Sequence, residues 1–173
     1  MAKKKLTIPP TEVVNPDGRD FDRLPISEQL RRLLASQAHA IDMVQKISHP
    51  IALAVEAATE RLRRGEGRLI YAGAGCSIRI GVQDGIELVP TFGWPLSRVA
   101  YLIAGGSQAL SLSVEGAEDD VAAARQQMDD FSVSNLDVVI GITASGNTNF
   151  TCQILESSIA RGALTIGVSS NPK

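Results

Sequence analysis

The chain has 173 residues, of which 44% are hydrophobic, and its 17 basic and 19 acidic residues leave a net charge of −2. This composition is that of a soluble globular protein, and the charge disfavours nucleic acid as a partner, since a phosphate backbone is normally bound by a dense basic surface. No apolar run is long enough to cross a membrane and no signal-peptide core follows the N-terminus, so we expect a cytoplasmic protein without a membrane partner. The 2 cysteines and 2 histidines lack metal-ligand spacing and predict no metal site.

The first third of the chain predicts an arm followed by two helices. Residues 1–26 contain several prolines and predict an irregular arm. Residues 27–64 predict a helical segment, with Ser27 as the N-cap of a first helix whose apolar residues recur at three- and four-residue spacing. The pair His49-Pro50 interrupts that pattern, and a second helix is predicted from there to Arg64.

The remaining segment, residues 65–173, alternates short apolar strands with helical stretches, which predicts an α/β domain. The strands are nearly continuous apolar runs, which is typical of parallel strands buried on both faces. We therefore expect a parallel sheet with helices on both sides. The predicted strands are residues 68–72, 99–104, 136–142 and 164–169.

Two glycine- and hydroxyl-rich loops each follow a predicted strand and precede a helix. Their candidate binding residues are Gly75, Cys76 and Ser77 in the first loop and Ser145, Gly146 and Thr148 in the second. Glycine allows the backbone to approach a ligand closely, and the free N–H groups at a helix start favour a phosphate. One such loop is common in any α/β protein, but two at the carboxyl ends of strands predict a phosphorylated small molecule as the ligand.

Common nucleotide motifs do not fit these loops. The first loop begins like a dinucleotide fingerprint, yet Ile78 occupies the position of the third glycine and no acidic residue closes the next strand, which disfavours NAD. The Gly-Lys-Ser/Thr sequence of a Walker loop is absent, which disfavours ATP and GTP. We therefore expect no cofactor.

Several collinear segments resemble the N-acetylmuramic acid 6-phosphate etherase family. They are residues 67–75, 87–93, 102–106, 114–120 (Val-Glu-Gly-Ala-Glu-Asp-Asp, the most distinctive) and 137–146. The resemblance implies a sugar isomerase (SIS) domain, a three-layer α/β fold with a parallel sheet that binds phosphosugars. It also implies a homodimer with sites at the subunit interface, which an uncovered sheet edge and the apolar stripe of the first helix favour as well.

The resemblance further implies a lyase that removes the D-lactyl ether from C3 of a 2-acetamido sugar 6-phosphate, by elimination and hydration, during cell-wall recycling. One carboxyl group must take the proton at C2 and another must protonate the departing lactate. By resemblance, Glu87 matches the family's acid and Glu118 its second catalytic carboxylate. Residue chemistry alone leaves both open, since Glu118 would also suit the first turn of a helix and Glu87 would be an ordinary surface residue.

A geometric constraint accompanies Glu87. An unbroken helix would place it roughly 15 Å along the axis from Ser77, too far to act on a sugar held by that loop. We therefore expect either a helix break at Gly81 or Gly85, or action on a ligand held by a partner chain.

Departures from the family keep two other functions open. Cys76 and Ile78 replace a threonine and a glycine of the family, and Asn147 and Asn149 replace an arginine and a proline. The sequence also stops where family members continue, so we expect a domain that is incomplete relative to the family. The altered loops favour a non-catalytic phosphosugar-binding regulatory module, as in glucokinase regulatory proteins, whereas retention of both glutamates favours the etherase. An aldose–ketose sugar-phosphate isomerase ranks third.

Overall fold

The computed structural model describes residues 10–171, and the chain divides into two compact units, Met1–Glu56 and Ala57–Lys173. The described part of the first unit begins with three short 3₁₀ turns, at Pro10–Glu12, Pro16–Gly18 and Phe21–Arg23. Two helices follow, α1 (Ile26–Lys46) and α2 (Ser48–Leu62), of which α2 crosses the boundary between the units.

Both predicted N-terminal helices are present, with bounds that differ slightly from the prediction. Helix α1 begins at Ile26 with Pro25 in the cap position, so Ser27 is not the N-cap. The break falls at Ile47 rather than at His49-Pro50, because a proline is tolerated in the first turn of α2, where its missing N–H would have no intrahelical partner. No residue of α1 is buried, so its apolar stripe is exposed.

The second unit contains a parallel sheet flanked by helices, as predicted. Its strands are β1 (Leu69–Gly73), β2 (Val99–Ile103), β3 (Val138–Thr143) and β4 (Leu164–Ser169). Its further helices are α3 (Gly75–Phe92), α4 (Val121–Asp130) and α5 (Asn149–Ala160). The strand order is β2-β1-β3-β4, and every neighbouring pair is parallel.

Hydrophobic side chains pack on both faces of this sheet and make three layers. On one face, Ile78 and Val82 of α3 pack with Tyr71 and Ile103 of the sheet. On the other face, α4 and α5 bury Met128, Phe150 and Ile154 against alternate residues of the strands. The predicted three-layer α/β fold is therefore confirmed.

Helix α3 is continuous from Gly75 to Phe92, so the predicted break at Gly81 or Gly85 is wrong. Both glycines are buried against the sheet instead. A Cβ at Gly81 would lie 2.8 Å from Cδ1 of Ile142, and one at Gly85 would lie 2.7 Å from the hydroxyl oxygen of Tyr101. These glycines allow close packing of α3 on the sheet rather than a bend.

A buried ion pair joins the amino ends of the two central strands. Arg68 Nη2 donates to Asp137 Oδ2 at 2.8 Å, and the backbone N–H groups of Arg68 and Ser134 also donate to this carboxylate, both at 2.9 Å. Burial by itself would raise the pKa of Asp137, but these hydrogen bonds outweigh it and hold that pKa below its ordinary value. The backbone N–H of Arg68 donates to this carboxylate and that of Asp137 to the carbonyl oxygen of Ser134, so β1 and β3 begin after them, at Leu69 and Val138, later than predicted.

Strands β1 and β3 are neighbours, but their following helices lie on opposite faces of the sheet. The connection from β1 leads to α3 on one face, and the connection from β3 leads to α5 on the other. Such a divergence opens a crevice at the carboxyl ends of the strands, which is where ligands bind in open parallel sheets. Both glycine-rich loops lie at this edge.

Candidate functional site

The first glycine loop, residues 73–77, turns directly from β1 into α3. Gly73 is crowded, since a Cβ there would lie 2.7 Å from the carbonyl oxygen of Ile142 on β3. Gly75 has a φ of +54°, a left-handed conformation that glycine adopts without strain, and it faces open space. The first helical hydrogen bond runs from Ile78 N to Ala74 O, so the N–H groups of residues 75–77 precede it and have no intrahelical partner.

The hydroxyl of Ser77 has no hydrogen-bond partner among the described residues, and the Cys76 thiol is exposed. Both residues lie in the first turn of α3, beside the free N–H groups. Oriented N–H groups and a hydroxyl at a helix N-terminus provide the donors that a phosphate requires. In place of the threonine of the resembled family, this helix start therefore carries an exposed thiol.

The second glycine loop, residues 143–148, is held by its own hydroxyl groups. Thr143 Oγ1 lies 2.7 Å from Thr148 Oγ1 and 3.4 Å from Ser145 Oγ. The N–H of Asn147 donates to Ser145 Oγ at 3.1 Å, and Gly146 has a φ of +73°. The structure thus brings Ser145 and Thr148 together through Thr143, whose place in this network the sequence analysis missed.

A cavity of about 200 Å³ lies beside the first loop. Ala74 and Gly75 of the first loop line it together with residues 113–118, which follow β2. Glu118 lies in a 3₁₀ turn (Ala117–Asp119) and is exposed, with no hydrogen bond to a described residue. The structure therefore places one of the two predicted catalytic glutamates at the cavity beside the first loop.

Glu87 does not line this cavity. It is exposed on α3, eight positions after Arg79, and borders a shallower surface depression with Gln83, Ile86 and Leu110. Because α3 is continuous, Glu87 lies roughly 12 Å along the helix axis from Arg79. Within this chain the structure therefore separates the two predicted catalytic glutamates.

Arg79 bonds two residues that line the same cavity, Ala109 and Leu112, and the sequence analysis did not identify it. Its Nε and Nη2 donate to the carbonyl oxygen of Ala109 at 3.1 and 2.9 Å, and Nη2 also donates to that of Leu112 at 3.0 Å. The guanidinium borders both the cavity and the depression beside Glu87. The sequence could have indicated Arg79 through its position one turn after Gly75, because residues four apart lie on the same side of a helix.

A second cavity, of about 310 Å³, lies between the second loop and the end of β4. Gly146 and Thr143 line it, together with Thr151, whose hydroxyl is buried without a hydrogen-bond partner among the described residues. Ser145 and Thr148 do not line this cavity.

In the described part of the chain, no group of three or more His, Cys, Asp or Glu side chains comes close enough together to hold a metal ion. Residues 10–171 also contain no helix that is both long and apolar enough to span a membrane.

Comparison with known proteins agrees with this geometry. The family described as "Glucokinase regulatory protein N-terminal SIS domain" matches residues 50–158. The chain is 43% identical over 162 residues to an N-acetylmuramic acid 6-phosphate etherase of Deinococcus radiodurans, covering 94% of this chain and 53% of the relative. It is 44% identical over 158 residues to an etherase of Vibrio campbellii, covering 91% of this chain and 51% of the relative.

The chain thus spans about half the length of the curated relatives it matches. The resemblance to the etherases that the sequence motifs indicated is confirmed. Among solved structures, phosphoheptose isomerase from Neisseria gonorrhoeae has a TM-score of 0.61 at 17% identity and covers 84% of this chain and 76% of its own, which supports the fold.

Proposed function

Because the chain belongs to the SIS-domain family described for the N-terminal domain of glucokinase regulatory protein, we propose that it binds a phosphorylated amino sugar at the carboxyl edge of its sheet. The phosphate is received by the free N–H groups of residues 75–77 and by the hydroxyls of Ser77, Ser145 and Thr148. The divergence of α3 and α5 from neighbouring strands supports this placement.

The chemistry we propose is etherase-like elimination of lactate from C3 of N-acetylmuramic acid 6-phosphate, in the cytoplasm during cell-wall recycling. The observation that carries this proposal is that Glu118 and Gly75 line the same cavity. A carboxylate there faces the sugar when the phosphate lies on the first loop, so Glu118 takes the proton from C2. The names of the relatives support the choice of this reaction.

Glu87 supplies the acid that protonates the departing lactate, and we propose that it does so across a homodimer. It lies too far along α3 to reach a sugar held by its own first loop. The surface around it is apolar, with Ile80 and Ile86 both exposed on α3. Pairing of two copies through this surface would cover these side chains and bring each Glu87 toward the partner's ligand.

Lactate release tests the reaction directly. We expect the purified chain to release D-lactate from N-acetylmuramic acid 6-phosphate, and Glu118→Gln to lose this activity by about a hundredfold to ten-thousandfold. Glu118→Gln should also stop exchange of the C2 proton with deuterium, whereas Glu87→Gln can retain exchange while it blocks release. Wild-type rates in both variants would contradict the two-carboxylate mechanism.

Mixing the two inactive variants tests the shared site. If Glu87 acts across the dimer, a mixed dimer contains one site with both carboxylates, and activity returns on mixing. If Glu87 acts within its own chain, every site lacks one carboxylate and no activity returns. Light scattering should show a dimer at micromolar concentration, and a clean monomer would contradict the shared site.

A second candidate function is a regulatory module that binds the sugar phosphate without cleaving it. The loss of a hydroxyl at Cys76 favours it, as does the match to the domain of a regulatory protein. Binding of N-acetylglucosamine 6-phosphate, together with no lactate release from N-acetylmuramic acid 6-phosphate, would support the module and exclude the lyase.

A further inference from the structure

Residues 107–119, which include Glu118, form a bridging segment between the end of β2 and the start of α4. Ala109 and Leu110 in its first part pack on the sheet. Residues 113–119 are mostly exposed, and among them only Val114 and Ala117 pack against the hydrophobic clusters. Gly116 has a φ of +73°, so the backbone reverses inside the segment. A carboxylate on such a segment needs other contacts if it is to keep one position.

The first contact is at the start of the bridging segment. The Arg79 guanidinium donates three hydrogen bonds to the carbonyl oxygens of Ala109 and Leu112, at 2.9 to 3.1 Å. These carbonyls belong to the 3₁₀ turn Ser107–Leu110 and the residues after it, where helical carbonyls lack intrahelical partners. Hydrogen bonds from a charged donor are stronger than neutral ones, so Arg79 ties this turn to α3.

The second contact is at the end of the bridging segment. Asn149 Nδ2, on the first residue of α5, donates to Asp119 Oδ1 at 3.0 Å. Asp119 follows Glu118 directly in the same 3₁₀ turn. The bond therefore links the position of Glu118 to the second glycine loop, which ends at Thr148.

We propose that Arg79 and Asn149 are positioning residues, which hold the bridging segment at its two ends and so keep Glu118 at the cavity that Gly75 also lines. This inference rests on the proposed function, in which Glu118 acts on a sugar phosphate held by the first loop. Arg79 has the larger effect, because it makes three charged hydrogen bonds, whereas Asn149 makes one exposed bond.

Three variants separate positioning from ligand contact. Arg79→Gln removes the guanidinium group and its charge. Arg79→Lys keeps the charge but cannot bond both carbonyl oxygens as the guanidinium does, and it serves as a second variant in case Arg79→Gln fails to fold. Arg125→Gln is the matched control, since Arg125 is an exposed arginine on α4 that bonds Gln153 and does not line the cavity.

Asn149→Pro removes the amide while keeping the helix. Proline suits the first helical position, and the residue before a proline must be extended. Thr148 already has that conformation, with a φ of −69° and a ψ of 115°. The variant should therefore fold and lose only the bond to Asp119.

Steady-state kinetics with N-acetylmuramic acid 6-phosphate give the first measurement. We expect Arg79→Gln to lower kcat by about tenfold to a hundredfold with KM nearly unchanged, because a small displacement of a catalytic group affects the chemical step more than binding. Asn149→Pro should lower kcat by less, and Arg125→Gln should change neither parameter. A raised KM with unchanged kcat would make Arg79 a ligand contact and overturn the inference.

Hydrogen exchange gives a second measurement that needs no activity. The amides of Leu112, Ala117 and Asp119 are hydrogen-bonded within the segment, at 3.0, 3.4 and 3.2 Å. Arg79→Gln should speed their exchange while those of β3 stay protected. Unchanged exchange at these amides would overturn the inference. If the wild type neither binds nor cleaves the sugar phosphate, the proposed function fails, and exchange still decides whether Arg79 holds the segment.

Discussion

The two ends of the β1–β3 strand pair are built from opposite kinds of group. At the amino ends, Arg68 and Asp137 form a buried ion pair whose carboxylate also accepts backbone hydrogen bonds. At the carboxyl ends, the first loop has free N–H groups, and the second loop has hydroxyls that bond one another. In the proposed function the same two strands therefore use one end for stability and the other for binding, and substitutions at the two ends should have separable effects.

The largest expected effect is on stability, from Asp137→Ala. The substitution removes one partner of a buried ion pair and leaves the N–H groups of Arg68 and Ser134 without their acceptor. Loss of one partner of a buried pair typically costs about 3–5 kcal/mol. Urea denaturation should show this as a lower midpoint with an unchanged m value.

Asp129→Ala is the control for that measurement. Asp129 pairs with Arg161 at the surface, where its side chain is 69% exposed. Exposed pairs contribute little to stability, so its midpoint should remain near that of the wild type. Equal midpoints for the two alanine variants would contradict the structural role of the amino ends.

Ser145→Ala tests the carboxyl ends. Because a hydrogen bond to a charged group contributes about 1.5–3 kcal/mol, affinity for N-acetylglucosamine 6-phosphate should fall by about tenfold to a hundredfold. Stability should change less than in Asp137→Ala, since the lost contacts are one backbone bond and one long hydroxyl contact. Calorimetric titration measures the affinity of both Ser145→Ala and a control variant, Ser157→Ala, which lies on helix α5. A loss of affinity in Ser145→Ala alone assigns the effect to the loop.

Gly73→Ala tests the packing at the carboxyl end of β1, where the first loop begins. A Cβ at Gly73 would lie 2.7 Å from a carbonyl oxygen of the neighbouring strand, and backbone cannot move aside as a side chain can. Overpacking of this kind typically costs about 1–3 kcal/mol. Gly167→Ala is the control, because Gly167 is in β4 of the same sheet and has no atom within 4 Å of its added Cβ. Equal thermal stability of the two variants would contradict the crowding.

Acid titration of stability should give the smallest effect and concern the amino ends alone. The folded protein holds the pKa of Asp137 below its ordinary value, so the ion pair contributes stability above the unfolded pKa of about 3.9. This contribution is lost as the pH falls below about 4, toward the folded pKa. The free energy of unfolding should therefore fall more steeply there in the wild type than in Asp137→Asn. Parallel curves would contradict the lowered pKa.

Much of this architecture is determined by local sequence. Continuous apolar runs predict the strands, and glycine and hydroxyl residues at the strand ends predict the loops. Both predictions succeed because they depend on residues that are neighbours in the chain. The loop pattern predicts Gly75 as a binding residue, whereas Glu118 is predicted only from the resemblance to the etherases. The bounds of the strands were less predictable. Arg68 and Asp137 precede β1 and β3 in the chain, and their ion pair joins these two strands.

Only the tertiary structure decided what depends on residues distant in the chain. Gly81 and Gly85 suggested a helix break. In the structure their lack of a side chain lets α3 pack close to the side chains of Ile142 and Tyr101. The bonds from Arg79 to the carbonyls of Ala109 and Leu112 join residues about thirty positions apart. Sequence spacing does not record such contacts, because they form only when the sheet brings separate connections to one edge.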